Sequence, residues 1–471
     1  MLLAELNKYR NKRQIYQTLP HGWQEKLAHI ILTLWVLLPL PMLLTFFIFP
    51  HHVERIWIMY GIFIESAGSL TLMAVIIQVA GKFVLREKIA VGDSIRRAPW
   101  AFLLLLMLVW ATIACLLAED RGIAFYGIPY YREGLLTYVY YAAIYFQATR
   151  LSERYKMSLI RRFAAVSLVL AIVFLAQYLR IGLISNTVFA GEFAFLNSTN
   201  YLGYYLALSI ILLAGLVIQA DRKWMMIYSL MLAVNTYALI RNDTFGGFVA
   251  AVLALALFIP LHGFYERKFT FRFIIPLSIF LIVCMIHVSI TQFIGGESSI
   301  FLNIRALTND MLKIVRNAED TGMAGSGRFR LWVKAIELIR ARPWFGYGPD
   351  QTVLAISSTV THVRPHNEII QHALYLGIPA ALLYLASLIW LLVRQIKQLP
   401  NLTPSTVIAA GGVIAYFISS QFGNTTPWVV PIFMVCLAFS SDTRSQHGHE
   451  EQSLIQPGKE TGDAFTPPVA K

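Results

Sequence analysis

A cation, a proline, an imidazole and an amide, Arg364-Pro365-His366-Asn367, stand directly before an apolar run from Ile369 to Val393. The polar stretch upstream also carries Arg328, Arg330, Arg340 and Arg342. Arginine offers a permanently charged planar fork that grips phosphate oxygens through paired hydrogen bonds. Histidine is the side chain able to accept a proton near neutral pH. Together they describe a site where a sugar hydroxyl is activated while an anionic lipid phosphate departs. No Asp/Glu cluster of the kind that binds a divalent metal in many phosphate enzymes lies beside them, so neither metal nor cofactor is expected and the arginines must neutralise the leaving group. Each residue also has a plainer reading: the arginines as solvated charges or lipid-headgroup contacts, His366 as a surface or capping residue, Asn367 as the amino-terminal cap of the next helix. Residue chemistry alone leaves both readings open.

The elements that must position these groups are apolar. Hydrophobic residues make up 57% of the chain and charged residues only 14%, with a mean hydropathy of +0.59. These values lie outside the range of soluble domains and indicate an integral membrane protein. Apolar segments recur from Ala28–Phe49 to Trp428–Phe439, most of them about 16 to 25 residues long and so sufficient to cross roughly 30 Å of hydrocarbon. The expected fold is all-α, a polytopic bundle of about twelve transmembrane helices. Lys and Arg alternate with loop side: Lys8, Arg10, Lys12 and Arg13, then Lys82, Arg86 and Lys88, then Arg154, Lys156, Arg161 and Arg162 collect on one face. That asymmetry places both termini in the cytoplasm. Much of the net +13 charge is therefore topological rather than a nucleic-acid surface, and membrane lipids are the expected surroundings. The basic amino terminus does not read as a cleaved signal. Cys115, Cys284 and Cys436 all fall inside apolar runs and read as small buried hydrophobes.

The domain plan is a basic cytoplasmic terminus at 1–27, a transmembrane domain at 28–440, and a polar, disordered cytoplasmic tail at 441–471. One excursion breaks the pattern of tight loops: residues 295–367 form a long outer loop between the ninth and tenth spans, and a loop of that length is usually functional. Within it, the run from Ser326 to Pro343 reads as an amphipathic helix, capped by Ser326, ended by Pro343, with Leu331, Ala335, Leu338 and Ile339 on one face against Arg330, Lys334 and Glu337. The following "PWFGYGPD" is a Gly/Pro turn without the Lys-Ser/Thr of a nucleotide loop.

The order Gly327, Arg328, Leu331, Trp332, Ala335, Pro343, Gly346, Gly348, then His366 and Asn367 about 20 residues on, then Gly377, resembles the signature of the O-antigen ligase and polymerase superfamily. "FLNSTNYLGYYLAL", with Phe195, Asn197, Asn200 and Gly203, is similar to that family's Asn-rich entry to a span. The resemblance implies a GT-C-like membrane fold and an inverting, metal-independent glycosyl transfer. It further implies a polyprenyl-diphosphate-linked oligosaccharide as donor and a glycan, lipid or protein hydroxyl as acceptor, at the outer face of the bacterial cytoplasmic membrane. Carried over, His366 becomes the candidate base and Arg328 the best-matched diphosphate ligand. Arg330, Arg132, Asn200 and Asn367 follow as further substrate contacts, Asn367 by orienting the histidine or a sugar. One departure stands out: relatives carry an arginine before the small residues that open the eighth span, whereas this chain has Phe245 there and Arg241 about one helical turn earlier. Arg241 either substitutes for that cation or pairs structurally with Asp243.

A transporter or flippase of lipid-linked glycans is the alternative class. Its usual mark is a pair of broken helices with polar groups near mid-membrane, and here the polar residues of interest gather at one surface.

Overall fold

The computed structural model describes residues 22–48, 53–84, 98–180, 196, 198–267, 270–298, scattered positions from 302 to 313, 328–351 and 364–442. Among these the regular elements are helices and no strand occurs. In chain order they are α1 (Trp23–Leu37), α2 (Pro39–Ile48), α3 (Val53–Val84), α4 (Pro99–Leu116), α5 (Arg121–Tyr126), α6 (Leu135–Ala148), α7 (Glu153–Tyr178) and α8 (Thr199–Gln219). There follow α9 (Arg222–Arg241), α10 (Phe245–Glu266), α11 (Ile274–Phe293), α12 (Arg328–Ala341), α13 (Glu368–Leu376), α14 (Ile378–Gln398), α15 (Pro404–Ser420) and α16 (Val430–Ser440).

Each apolar run of the sequence falls on a helix, and by length and composition alone fewer than twelve of these helices could each cross a membrane upright. Seven helices among the described residues are long and apolar enough to cross a membrane, or eight if the pair α1–α2, bent by 41°, is one span. The physical reason is length and charge. Helices α6, α13, α15 and α16 have 14, 9, 17 and 11 residues, short of the roughly 20 that an upright span requires. α9 begins with Arg222 and Lys223, ends with Arg241 and carries Asn235 inside, which shortens its apolar stretch. The run expected as one tenth span is two helices, α13 and α14, separated by Gly377.

Helix α8 forms the centre. Tyr201 through Ile218 are buried on every side, as expected of a helix that is apolar all round. α9, α10, α15 and α7 surround it. Small residues permit the close approach: a Cβ on Gly247 would lie 2.8 Å from the backbone carbonyl of Gly203, the small-residue contact typical of packed membrane helices. Polar groups inside this core bond to one another, Ser209 Oγ donating to Ser167 Oγ at 2.6 Å. The outer faces of α3, α4, α11 and α14 expose large apolar side chains such as Met73, Ile76, Leu105, Met285 and Ile389, a belt that suits lipid rather than water. The three cysteines are free, Cys115 and Cys436 buried and Cys284 half-buried.

The expected amphipathic helix is present as α12. Leu331, Ala335 and Ile339 are buried, Arg330, Lys334 and Glu337 are exposed, and the buried face packs against α13. The expected cap Ser326 lies outside the described residues, as do Gly327, Phe195 and Asn197.

Candidate active site

Three loops meet where the Arg364–Asn367 segment enters α13. The first holds Gly346 to Asp350. Its backbone is stitched to the end of α13: Tyr347 N–H donates to Leu374 O at 3.1 Å, Gly348 N–H to Tyr375 O at 2.8 Å, and Ile378 N–H to Pro343 O at 2.8 Å. This explains the glycines of the motif. Gly377 has φ 92° and ψ 162°, a region that only glycine occupies readily, and a Cβ there would lie 2.0 Å from Trp344 O. Replacing it with alanine is expected to cost about 3 kcal/mol or more, since backbone strain and a backbone clash add. A thermal melt of the purified variant in detergent checks this; a melting temperature equal to the parent's contradicts it.

The second element is a buried ion pair. Arg364, 1% exposed, donates to Asp350 Oδ1 at 2.6 Å and to Thr425 O at 2.9 Å. Asp350 Oδ2 accepts from the backbone N–H of Ile128 at 2.9 Å and of Glu133 at 3.3 Å. The guanidinium also lies over the Tyr131 ring at 3.8 Å. Burial by itself would lower the Arg364 pKa, but the carboxylates of Asp350 and Glu133 hold it above its ordinary value. Burial pushes the neighbouring Glu133 carboxyl up to about 7 against the opposing pull of Arg364. Arg364 is thus a clasp joining the 128–133, 350 and 425 loops, not a phosphate-facing charge.

The third element presents His366. Trp332 Nε1 donates to Pro365 O at 2.8 Å, so α12 fixes the residue before the histidine. Asn367 caps α13, its Oδ1 accepting from Ile370 N–H at 3.0 Å, while its Nδ2 donates to Gln421 O at 3.2 Å. Between these anchors His366 sits half-buried with φ 52°. Its backbone N–H donates to Asn424 Oδ1 at 2.8 Å. Burial lowers the His366 pKa to about 4, with the charges of Arg328 and then Arg364 adding to the effect. The ring is therefore neutral at pH 7, and the charge of Arg328 reaches it.

The other expected site residues go elsewhere. Arg132, at φ 54°, is paired with Glu65 of α3 at 2.6 Å. Asn200 lies in the first turn of α8, whose cap is Ser198. Arg330 and Arg340 are exposed on α12, and Arg342 stacks on Tyr347. Arg241 stacks on Tyr178 at 4.0 Å in a polar pocket of about 450 Å³ with Asp243, His287, Thr291 and Glu297, which His366 and Arg328 do not line. Arithmetic of one helical turn between Arg241 and Phe245 does not apply, because α9 ends at Arg241, α10 begins at Phe245, and Asp243 between them has φ 53°. It is Phe245 whose ring meets Phe422, two residues before Asn424.

Sequence reading missed Asp350, Glu133, Asn424 and Glu368. The last accepts hydrogen bonds from Tyr384 at 2.9 Å and Tyr416 at 2.8 Å. It lines, with His372 and Thr425, the polar side of an otherwise apolar cavity of about 280 Å³ between α4, α6, α14 and α16. The only local signals were an acid ending the "GYGPD" turn and an asparagine in "FGNTT". Among the described residues no group of three or more His, Cys, Asp or Glu side chains is placed to hold a metal ion.

A search of curated proteins gave no match. Residues 230–385, which hold α12, the glycine turn, His366 and α13, match the family model described as O-antigen ligase. That match spans about a third of the chain; together with helices long and apolar enough to cross a membrane, it makes this region similar to the O-antigen ligases.

Proposed function

We propose that this protein transfers or polymerises a polyprenyl-diphosphate-linked glycan onto an acceptor hydroxyl at the outer face of the bacterial cytoplasmic membrane. The supporting observation is the meeting of Arg328's charge with the neutral, half-buried His366 at the head of α13. Arg328 holds the diphosphate, and His366 faces the reacting centre. A single displacement inverts the anomeric carbon, and fixed guanidinium charge takes the part that a metal plays in many phosphate enzymes. The amino-terminal dipole end of α13 adds a favourable field for the anion. In the membrane arrangement that goes with this reading, about twelve helical segments traverse the bilayer, both termini are cytoplasmic, and the 295–367 region is the outer loop.

The test is purified protein in nanodiscs given a polyprenyl-diphosphate oligosaccharide and candidate acceptors. Glycan joined to acceptor is expected, with or without EDTA; a ladder of products identifies polymerisation and one product identifies ligation. Arg328→Ala is expected to raise the KM for donor about ten- to a hundredfold, the worth of a charged hydrogen bond. Failure of transfer with every acceptor, while labelled donor crosses the bilayer of proteoliposomes, overturns the reading in favour of a flippase.

A further inference from the structure

A second polar pocket opens at the same end of the bundle as His366. It is the cavity of about 450 Å³ where α7 and α9 end, α8 begins and α11 ends, and it closes against Glu297 and Leu302. Volumes of about 300–1,000 Å³ are usual for sites that hold small molecules. The α9–α10 turn ties the pocket to the His366 segment. Asn242 and Thr244 donate to the Thr199 carbonyl at 2.8 and 3.0 Å. The next residue, Phe245, meets Phe422, two residues before the asparagine that accepts from the His366 backbone.

Two buried side chains bring unsatisfied atoms to this cavity. His287, 3% exposed, and Asn242, 6% exposed, both line it, and among the described residues neither His287 Nε2 nor Asn242 Oδ1 has a hydrogen-bond partner. Arg241 Nε is a third such atom. Buried polar atoms of folded chains are nearly always paired and each exception costs stability, so three around one cavity call for a partner from outside the chain. The charges say of what kind. One cation, Arg241, shares the pocket with two carboxylates, Asp243 and Glu297, the latter also facing Arg305 at 3.2 Å. A multiply charged diphosphate would meet those carboxylates as like charges. A polyol meets no such repulsion, because each hydroxyl both donates and accepts. It can donate to a carboxylate or to Asn242 Oδ1 while accepting from the guanidinium.

We propose that this pocket is a saccharide subsite, separate from the reacting centre, that grips a neutral sugar unit of the glycan through several hydroxyls at once. The inference rests on the transfer reading above, and it gives Arg241 a sugar to hold in place of a phosphate.

The test uses the full-length protein in nanodiscs and, as probe, the reducing oligosaccharide released by mild acid from the host's lipid-linked glycan. Saturation-transfer NMR is expected to show the oligosaccharide bound, with inorganic pyrophosphate failing to displace it. His287→Phe keeps an aromatic ring and removes the nitrogen; Glu297→Gln removes a charge from the half-exposed rim. Each is expected to weaken oligosaccharide binding about tenfold, the worth of a hydrogen bond to a buried or charged group. Two readouts separate this from a structural role. His287→Phe, relieved of an unpaired nitrogen, is expected to melt no lower than the parent, and Glu297→Gln would tighten the site if its ligand were an anion. In the transfer assay the KM that rises names the source of the sugar: the donor's if the lipid-linked glycan docks here, the acceptor's if the acceptor's own sugars do. Undiminished binding in both variants, displacement by pyrophosphate, a His287→Phe protein that melts below the parent, or a parent that transfers glycan without binding the oligosaccharide overturns the proposal. A parent that binds the oligosaccharide, loses it in both variants and yet transfers nothing defeats the transfer reading instead and leaves the subsite standing.

Discussion

His366→Gly is expected to abolish glycan transfer, lowering kcat at least a hundredfold, while the protein still accumulates in the membrane. The size follows from what one well-placed catalytic imidazole or donor contributes, about a hundred- to ten-thousandfold. Glycine is the informative replacement because His366 has φ 52°, which glycine adopts without the steric penalty that alanine meets. The ring is half-buried, so its removal opens little core. The anchors on either side remain: Trp332 on Pro365, Asn367 on Gln421, and the backbone N–H of residue 366 on Asn424. Turnover measured beside a melting curve separates chemistry from folding. A variant that melts like the parent and transfers at the parent's rate removes His366 from the reaction.

How much of this was legible in the sequence differs between elements for physical reasons. The helices were, because apolar runs and the caps that precede them are local signals: Asn367 Oδ1 accepts from Ile370 N–H at 3.0 Å at the head of α13, as its place before an apolar run predicts. Helix continuity was not, since hydropathy marks apolar runs but not whether the helix continues; Gly377 cuts one run in two. The motif glycines read as punctuation. What their missing side chains make room for, the carbonyls of Trp344 and Leu374, appears only when the two segments pair. Arg364 was legible as a charge and illegible as a clasp. Its partners Asp350 and Thr425 lie 14 and 61 residues away, and no pattern of spacing encodes a contact made by loops closing over one another. Asn424, 58 residues from His366, was hidden for the same reason.

The clasp gives the second large effect. Asp350→Ala removes the carboxylate from a pair in which each side chain is 1% exposed. The loss strands the buried Arg364 guanidinium without its carboxylate partner and orphans the backbone donors of Ile128 and Glu133. Breaking a buried pair from one side typically costs about 3–5 kcal/mol, because the surviving charge keeps its desolvation penalty after losing its main counter-charge. Folded protein is expected to fall sharply, with protease cutting first near the 128–133 and 350 loops that the pair joins. The sign of a second measurement decides whether charge is the cause. Asp350→Ala combined with Arg364→Ala deletes the stranded cation and is expected to be more stable than Asp350→Ala alone, despite having lost one more native side chain. Such recovery is specific to an electrostatic clasp; a purely steric role for either residue predicts that the two losses add. Glu133 offers a check from the same loop. Its carboxyl is already raised to about 7 by burial against the charge of Arg364, with Asp350 adding a smaller push in the same direction as burial; the double variant removes both charges, and losing the larger, opposing one of Arg364 pushes the carboxyl higher still. Protonated Glu133 is far cheaper to bury than its carboxylate, and the double variant is expected to melt higher at about pH 6 than at about pH 8, a window above the ordinary glutamate pKa and around the raised one.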